Sequence, residues 1–277
     1  VLFIINQLKE RIMKFKKLLS TAVATVAFVT AFSASAAPIY PVYTVNPGAL
    51  AGTINPFVAN DLGGQYNEVV TFTSATDFNV TLLFVGGQFN LDDTINSTIY
   101  NAGETGLGVK YGLYATFLGS GTYSQSGPST TFNLLAGNLS LYLDPYNLKT
   151  TFTQPANGST AWGLANYLDD TLLGTGTNAT GLGTSTCTGN NLCGAFGQTV
   201  DFQLTGAGSG FFVAPVPFYN LALTSGQFEG IQPVIGESVL SHGTANTVFN
   251  IPEPSPLALL GLGLIVLGFS RRHSTKV

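Results

Sequence analysis

From Phe78 to Phe84 the chain reads Phe-Asn-Val-Thr-Leu-Leu-Phe, so Phe78, Val80, Leu82 and Phe84 recur at every second position. A period of two places those side chains on one face of an extended strand. Tyr111, Leu113, Ala115 and Phe117 repeat the pattern. Thr131 to Leu135, Leu139 to Leu143, Val200 to Leu204 and Phe218 to Leu223 supply further strand segments. Turn chemistry separates them at Gly86-Gly87, Gly119-Ser120-Gly121, Ser126-Gly127-Pro128, Asp144-Pro145 and Gly206 to Gly210. No window of a dozen residues carries a helical period. The pattern predicts an all-β domain over residues 37–250, an antiparallel β-sandwich or barrel built from many short strands.

Charge then narrows the function. Only 9% of the chain is charged, against about 25% in an ordinary soluble domain. Between Ala37 and Ile251 there are twelve acids and only two bases, Lys110 and Lys149. Nucleic-acid binding needs clustered cations to neutralise phosphates, so that class is excluded. The 20 Phe and 11 Tyr are enough to build a core, which argues against disorder. Few charges leave a surface of hydroxyls and amides, suited to hydrogen-bonding sugars. Such a surface also guards strand edges poorly, because edge lysines are a common defence against pairing, and self-association is therefore expected to be open to it.

The basic residues collect at the two ends. Met13-Lys14-Phe15-Lys16-Lys17 is a basic head, Leu18 to Phe32 is apolar, and Ser33-Ala34-Ser35-Ala36 closes the run with small residues. This is the layout of a secretory signal peptide over residues 13–36, with Ala34 and Ala36 at −3 and −1 of the cleavage site. Residues 1–12 do not resemble a signal head, and are expected to be an upstream extension before a true start at Met13.

At the other end, residues 251–277 hold Pro252-Glu253-Pro254, an uncharged run from Pro256 to Phe269, and a basic tail at 270–277 with Arg271 and Arg272. Fourteen helical residues span about 21 Å, short of the ~30 Å hydrocarbon core. The run is nevertheless apolar on every face, and the arginine pair directly after it fits the positive-inside rule. A short transmembrane helix over 256–269 is expected. The two prolines before it keep the preceding segment extended.

This order of Pro-Glu-Pro, short glycine-containing helix and arginine cluster resembles the PEP-CTERM sorting signal. The resemblance implies export by the Sec machinery of a Gram-negative bacterium, transient anchoring in the inner membrane, and recognition by an exosortase.

Chemistry-bearing residues are few. Cys187 and Cys193 flank Gly and Asn residues; in an exported chain such a pair reads as a disulfide closing a loop. A zinc site would need two more ligands, and His242 is the one histidine of the mature body. Asp92, Asp93, Asp169 and Asp170 are weak Ca²⁺ candidates by their hard oxygen ligands, although no recognisable calcium loop surrounds them; otherwise no cofactor is expected. Neighbouring strand residues face opposite ways, so neither Asp pair alone supplies a catalytic couple. Ser241-His242 is a sequence neighbour pair without a Gly-x-Ser-x-Gly context. Trp162 reads as a core residue or as a stacking platform for a sugar ring.

Tyr43-Thr44-Val45-Asn46-Pro47, the Gly64 to Phe72 stretch, Thr105 to Ala115, Leu143-Asp144-Pro145, the two-cysteine loop and Phe218 to Leu221 are similar to the flocculation-associated PEP-CTERM proteins of exopolysaccharide-producing bacteria. That resemblance implies a non-enzymatic secreted matrix protein, at the cell surface or beyond it, that promotes aggregation with exopolysaccharide. It brings no catalytic residues. The rival expectations are a glycan-processing enzyme with dispersed carboxylates and a calcium-dependent adhesion module.

Overall fold

The computed structural model describes residues 40–52, 54–92, 97–186 and 189–251. The signal-peptide and sorting-tail expectations, with Ala34, Ala36, Pro252, Glu253, Pro254, Arg271 and Arg272, lie outside the described residues.

Eight long strands carry the alternation: β3 (Asp61–Phe72), β4 (Asp77–Asp92), β6 (Gly112–Ser126), β7 (Ser129–Asp144), β10 (Thr171–Ser185), β11 (Gly189–Leu204), β13 (Leu221–Gly230) and β14 (Ser238–Asn250). Each pairs antiparallel with the next in chain order, and β14 returns to pair with β3. The sheet is therefore a closed up-and-down barrel, with β5 (Ser97–Ile99) added beside the end of β4. The all-β expectation holds, as a barrel and not as a sandwich.

Three expectations are corrected. The strands are long, because Gly86-Gly87 and Gly119-Ser120-Gly121 lie inside β4 and β6 at irregularities of register instead of in turns. A bulge takes up an extra residue and bends the strand, which a small closed barrel requires. For the same reason Thr131 to Leu135 and Leu139 to Leu143 are two parts of one strand, β7. Gly206 to Gly210 is not a turn but most of helix α2 (Gly206–Phe211), started by the Thr205 hydroxyl accepting from Gly208 N. Finally, closure leaves the eight long strands without open edges, so the edges expected to be unguarded are confined to β5 and the short strands outside the barrel wall. Helix α1 (Ala102–Thr105) is a second short helix, held by a capping box between Asn101 and Glu104.

The apolar phase points inward. Phe72, Phe78, Phe84, Phe89, Phe132, Leu141, Phe202 and Phe249 are buried members of one core. The inward phase of β10 is nearly bare: Gly174, Gly176, Gly181 and Gly183 alternate with Thr175, Thr177, Thr180, Leu182 and Thr184. A Cβ on Gly174 would come within 2.5 Å of the Phe202 ring, and one on Gly176 within 2.3 Å of Val200. Large residues on β11 thus fill the space that β10 leaves.

One end of the barrel is covered by a small sheet of β1 (Tyr43–Val45), β2 (Phe57–Ala59) and β12 (Phe212–Ala214). Its Tyr43 packs edge-on against Phe212, Phe218 and Phe249. The hairpin of β8 (Thr151–Thr153) and β9 (Gly163–Ala165) lies outside the wall. There Trp162, Phe152 and Leu164 bury the outward Leu83, Tyr114 and Tyr142 in a second cluster. Gly158 N donates to Thr71 Oγ1 at 2.7 Å, and Asn79 Nδ2 to Ser159 Oγ at 2.8 Å, tying this strap to β3 and β4.

Candidate functional site

Glu68 occupies the inward phase of β3, in the run Tyr66, Glu68, Val70, Phe72. Across the seam that closes the barrel its register partner is Ser241 of β14, and on the other side it is Leu82 of β4. It borders a cavity of about 90 Å³, lined also by Phe78, Phe117, Phe132, Phe196 and Phe228. A second cavity of about 50 Å³ adjoins it and shares Leu82, Phe117, Phe196 and Gln198 in its wall. Burial pushes the Glu68 carboxyl up to about 7, against a smaller lowering by the Ser241 hydroxyl. That hydroxyl is buried with no partner of standard hydrogen-bond geometry. The described basic side chains, Lys110, Lys149 and His242, are all exposed, so among the described residues no cation compensates Glu68. Burial also raises the Tyr66 hydroxyl, and the Glu68 charge adds to the shift.

Sequence reasoning missed this site, although a signal was there. An acid sits at a position whose neighbours at i−2, i+2 and i+4 are Tyr66, Val70 and Phe72. Ser241 and His242, neighbours in sequence, face opposite sides: Ser241 is inside, while His242 is exposed with its Nδ1 against Asn67 Oδ1. They form no catalytic pair.

The acidic candidates act on loops. Asp144 Oδ1 accepts from Tyr146 N at 2.7 Å and Asp144 Oδ2 from Thr150 N at 2.9 Å, fixing the turn after β7. Asp170 accepts from Thr150 Oγ1 at 2.8 Å and from the Tyr114 hydroxyl, and Asp169 from Leu148 N at 3.2 Å. Burial raises the Asp170 carboxyl, and the nearby charges of Asp144 and Asp169 push the same way, against lowering by its two hydrogen-bond donors. Asp92, exposed at the end of β4, receives the Ser97 hydroxyl, while its N–H donates to Asn60 Oδ1 at 2.9 Å. Asp93 lies outside the described residues. Among the described residues no group of three or more His, Cys, Asp or Glu is placed to hold a metal ion. Trp162 is buried in the outer cluster, so the core reading of that residue stands and its ring is not presented to a sugar.

The outer wall is built from the polar phase. Thr175, Thr177, Thr180 and Thr184 of β10 are exposed, as are Gln203 of β11, Ser225 and Gln227 of β13, and Thr244 and Asn246 of β14. Thr180 and Thr199 hydroxyls lie 3.3 Å apart, and Asn178 Nδ2 donates to Asp201 Oδ2 at 2.8 Å. Val85, Leu118, Leu135, Leu182, Leu192 and Leu240 are exposed apolar residues of the barrel strands and interrupt this wall. Polar outside and apolar inside is the reverse of a transmembrane barrel.

Cys193 lies on β11, where its carbonyl accepts from Thr186 N at 3.4 Å and Thr186 Oγ1 at 3.2 Å. Cys187 lies outside the described residues. Beyond the barrel, residues 250–272 match the family model of the PEP-CTERM protein-sorting motif. The chain carries a PEP-CTERM sorting signal. That signal implies a secreted, surface-targeted protein processed by an exosortase. No curated protein and no solved structure matches the chain.

Proposed function

We propose that this PEP-CTERM protein is a non-enzymatic extracellular matrix protein that promotes cell aggregation with exopolysaccharide. After cleavage by exosortase the barrel would remain outside the cell and hold polymer or neighbouring cells together. The reading is supported by one combination: a sorting signal at residues 250–272 on a barrel whose exposed wall is hydroxyl and amide. Such groups exchange hydrogen bonds with sugar hydroxyls without the long-range repulsion of like charges. The acidic excess of the body offers divalent cations a means of bridging copies.

A Cys187–Cys193 disulfide belongs to the same reading. The backbone and side chain of Thr186 both reach the Cys193 carbonyl, which sets Cys193 beside the residue that precedes Cys187. A bond there would pin the β10–β11 hairpin in an oxidising compartment.

Deleting the gene and measuring how fast cells settle tests the proposal. Settling should slow, and recover with the full chain but not with one ending before Pro252. Unchanged settling with an intact matrix overturns it. Release of reducing ends from the host polymer by purified protein would favour an enzyme instead.

A further inference from the structure

The interior of the barrel carries a second inference, independent of matrix binding. Glu68 is the one ionisable side chain on the described wall of the about 90 Å³ cavity, and no cation among the described residues faces it. A buried carboxylate without a counter-charge either takes up a proton or takes a cation from outside. The rest of the wall favours the cation. Phe78, Phe117, Phe132, Phe196 and Phe228 surround the space, and aromatic faces attract positive charge. The volume is several times what one water needs. It is below the ~150 Å³ of a cavity that holds a benzene ring, so the occupant is small.

We propose that this cavity binds a small organic cation, an alkylammonium about the size of ethylammonium, with its charged head at Glu68 and its alkyl part among the phenylalanines. Glu68 accepts from the ammonium N–H, and the Ser241 hydroxyl, opposite it in register, favours the charged form of the carboxyl. Gly183 of β10, which also lines the cavity, leaves room where a side chain would stand against Phe132 and Phe196. Ile231, from the loop joining β13 to β14, is buried against the same space, and its N–H donates to Ser185 Oγ at 3.2 Å.

The test titrates the purified mature protein at pH 8 with ethylammonium and, separately, with ethanol, which has the same shape and no charge. Saturable binding of the amine at least ~10-fold tighter than of the alcohol is expected, about one pKa unit's worth of differential interaction. The same titrations on Glu68→Gln should lose the preference. In the unaltered protein, affinity for the amine should rise as pH passes upward through about 7, where Glu68 ionises. Equal affinity for the two probes, retention of the preference in Glu68→Gln, or no saturable binding of the amine overturns the proposal. The amine–alcohol comparison needs no variant, so it decides even if Glu68→Gln folds poorly.

Discussion

Glu68 on β3 and Ser241 on β14 stand opposite each other across the seam that closes the barrel, Ser241 buried and Glu68 half-buried beside the inner cavity. The seam joins the first and last strands of the barrel, so a single acid and a single hydroxyl come together only when the sheet has closed. Leu62 to Thr71 of β3 pair with Thr247 to Ser238 of β14 along the same seam, and apolar contacts flank the polar pair.

Stability should therefore fall as pH rises through the window set by Glu68. Its folded pKa of about 7 lies above the 4.5 of the free side chain, so the folded state holds the proton more tightly. Below pH 4.5 the carboxyl is neutral in both states and burial carries no ionic penalty. Between 4.5 and 7 the unfolded chain ionises first and stability declines, by on the order of 3 kcal/mol in all. Asp61 and Asp170, also raised by burial, push in the same direction. Urea midpoints from pH 4 to 8 should show the decline, and Glu68→Gln should flatten most of it. A Glu68→Gln protein with the same slope would show that the acid is solvated.

Two glycines on neighbouring strands should respond oppositely to a methyl group. A Cβ on Gly181 would lie 2.5 Å from the Gly197 carbonyl oxygen and 2.8 Å from Gln198 Cβ, whereas one on Gly197 meets nothing within 4 Å. Gly181→Ala should lose about 1–3 kcal/mol by overpacking. Gly197→Ala should stay within about 0.5 kcal/mol of the parent. Denaturant midpoints compare the two.

Trp162 is the one tryptophan of the chain, and it lies against Leu83 and Tyr114 under the β8–β9 strap. Its fluorescence should be blue-shifted in the native protein and report release of the strap. Trp162→Ala should lose about 3 kcal/mol of stability. Because the indole N–H is buried without a partner, Trp162→Phe should cost much less.

Intact-mass measurement of the secreted protein should find residues 1–36 and the C-terminal helix removed, and two hydrogens missing from the cysteine pair. Replacing Pro252-Glu253-Pro254 by alanines should leave the tail in place and the protein in the membrane fraction. Secreted protein still ending at Val277 would contradict exosortase processing.

Much of the strand content was legible because a period of two is a local property. Phe78 to Phe84, Tyr111 to Phe117 and Val200 to Leu204 announce their inward faces with no knowledge of their partners, and all but Tyr111, just before β6, lie in barrel strands. β10 was silent for the converse reason. Its inward phase is glycine, so apolar and polar positions cannot be told apart until Phe202 and Val200 are seen filling the space across the strand pair. Gly86-Gly87 and Gly119-Ser120-Gly121 read as turns because a glycine pair suits a turn and a bulge equally well, and only pairing with β3 and β7 separates the two.

The amino-acid sequence by itself determined the all-β class, the dearth of surface charge and the sorting segment, since each is written in consecutive residues. Tertiary structure alone decided that eight strands close instead of stacking as two sheets. It also decided that Trp162 is covered and that Glu68 meets Ser241 beside an aromatic cavity. The physical reason is that register across the seam depends on residues from the two ends of the barrel, and no local pattern in either strand encodes the other.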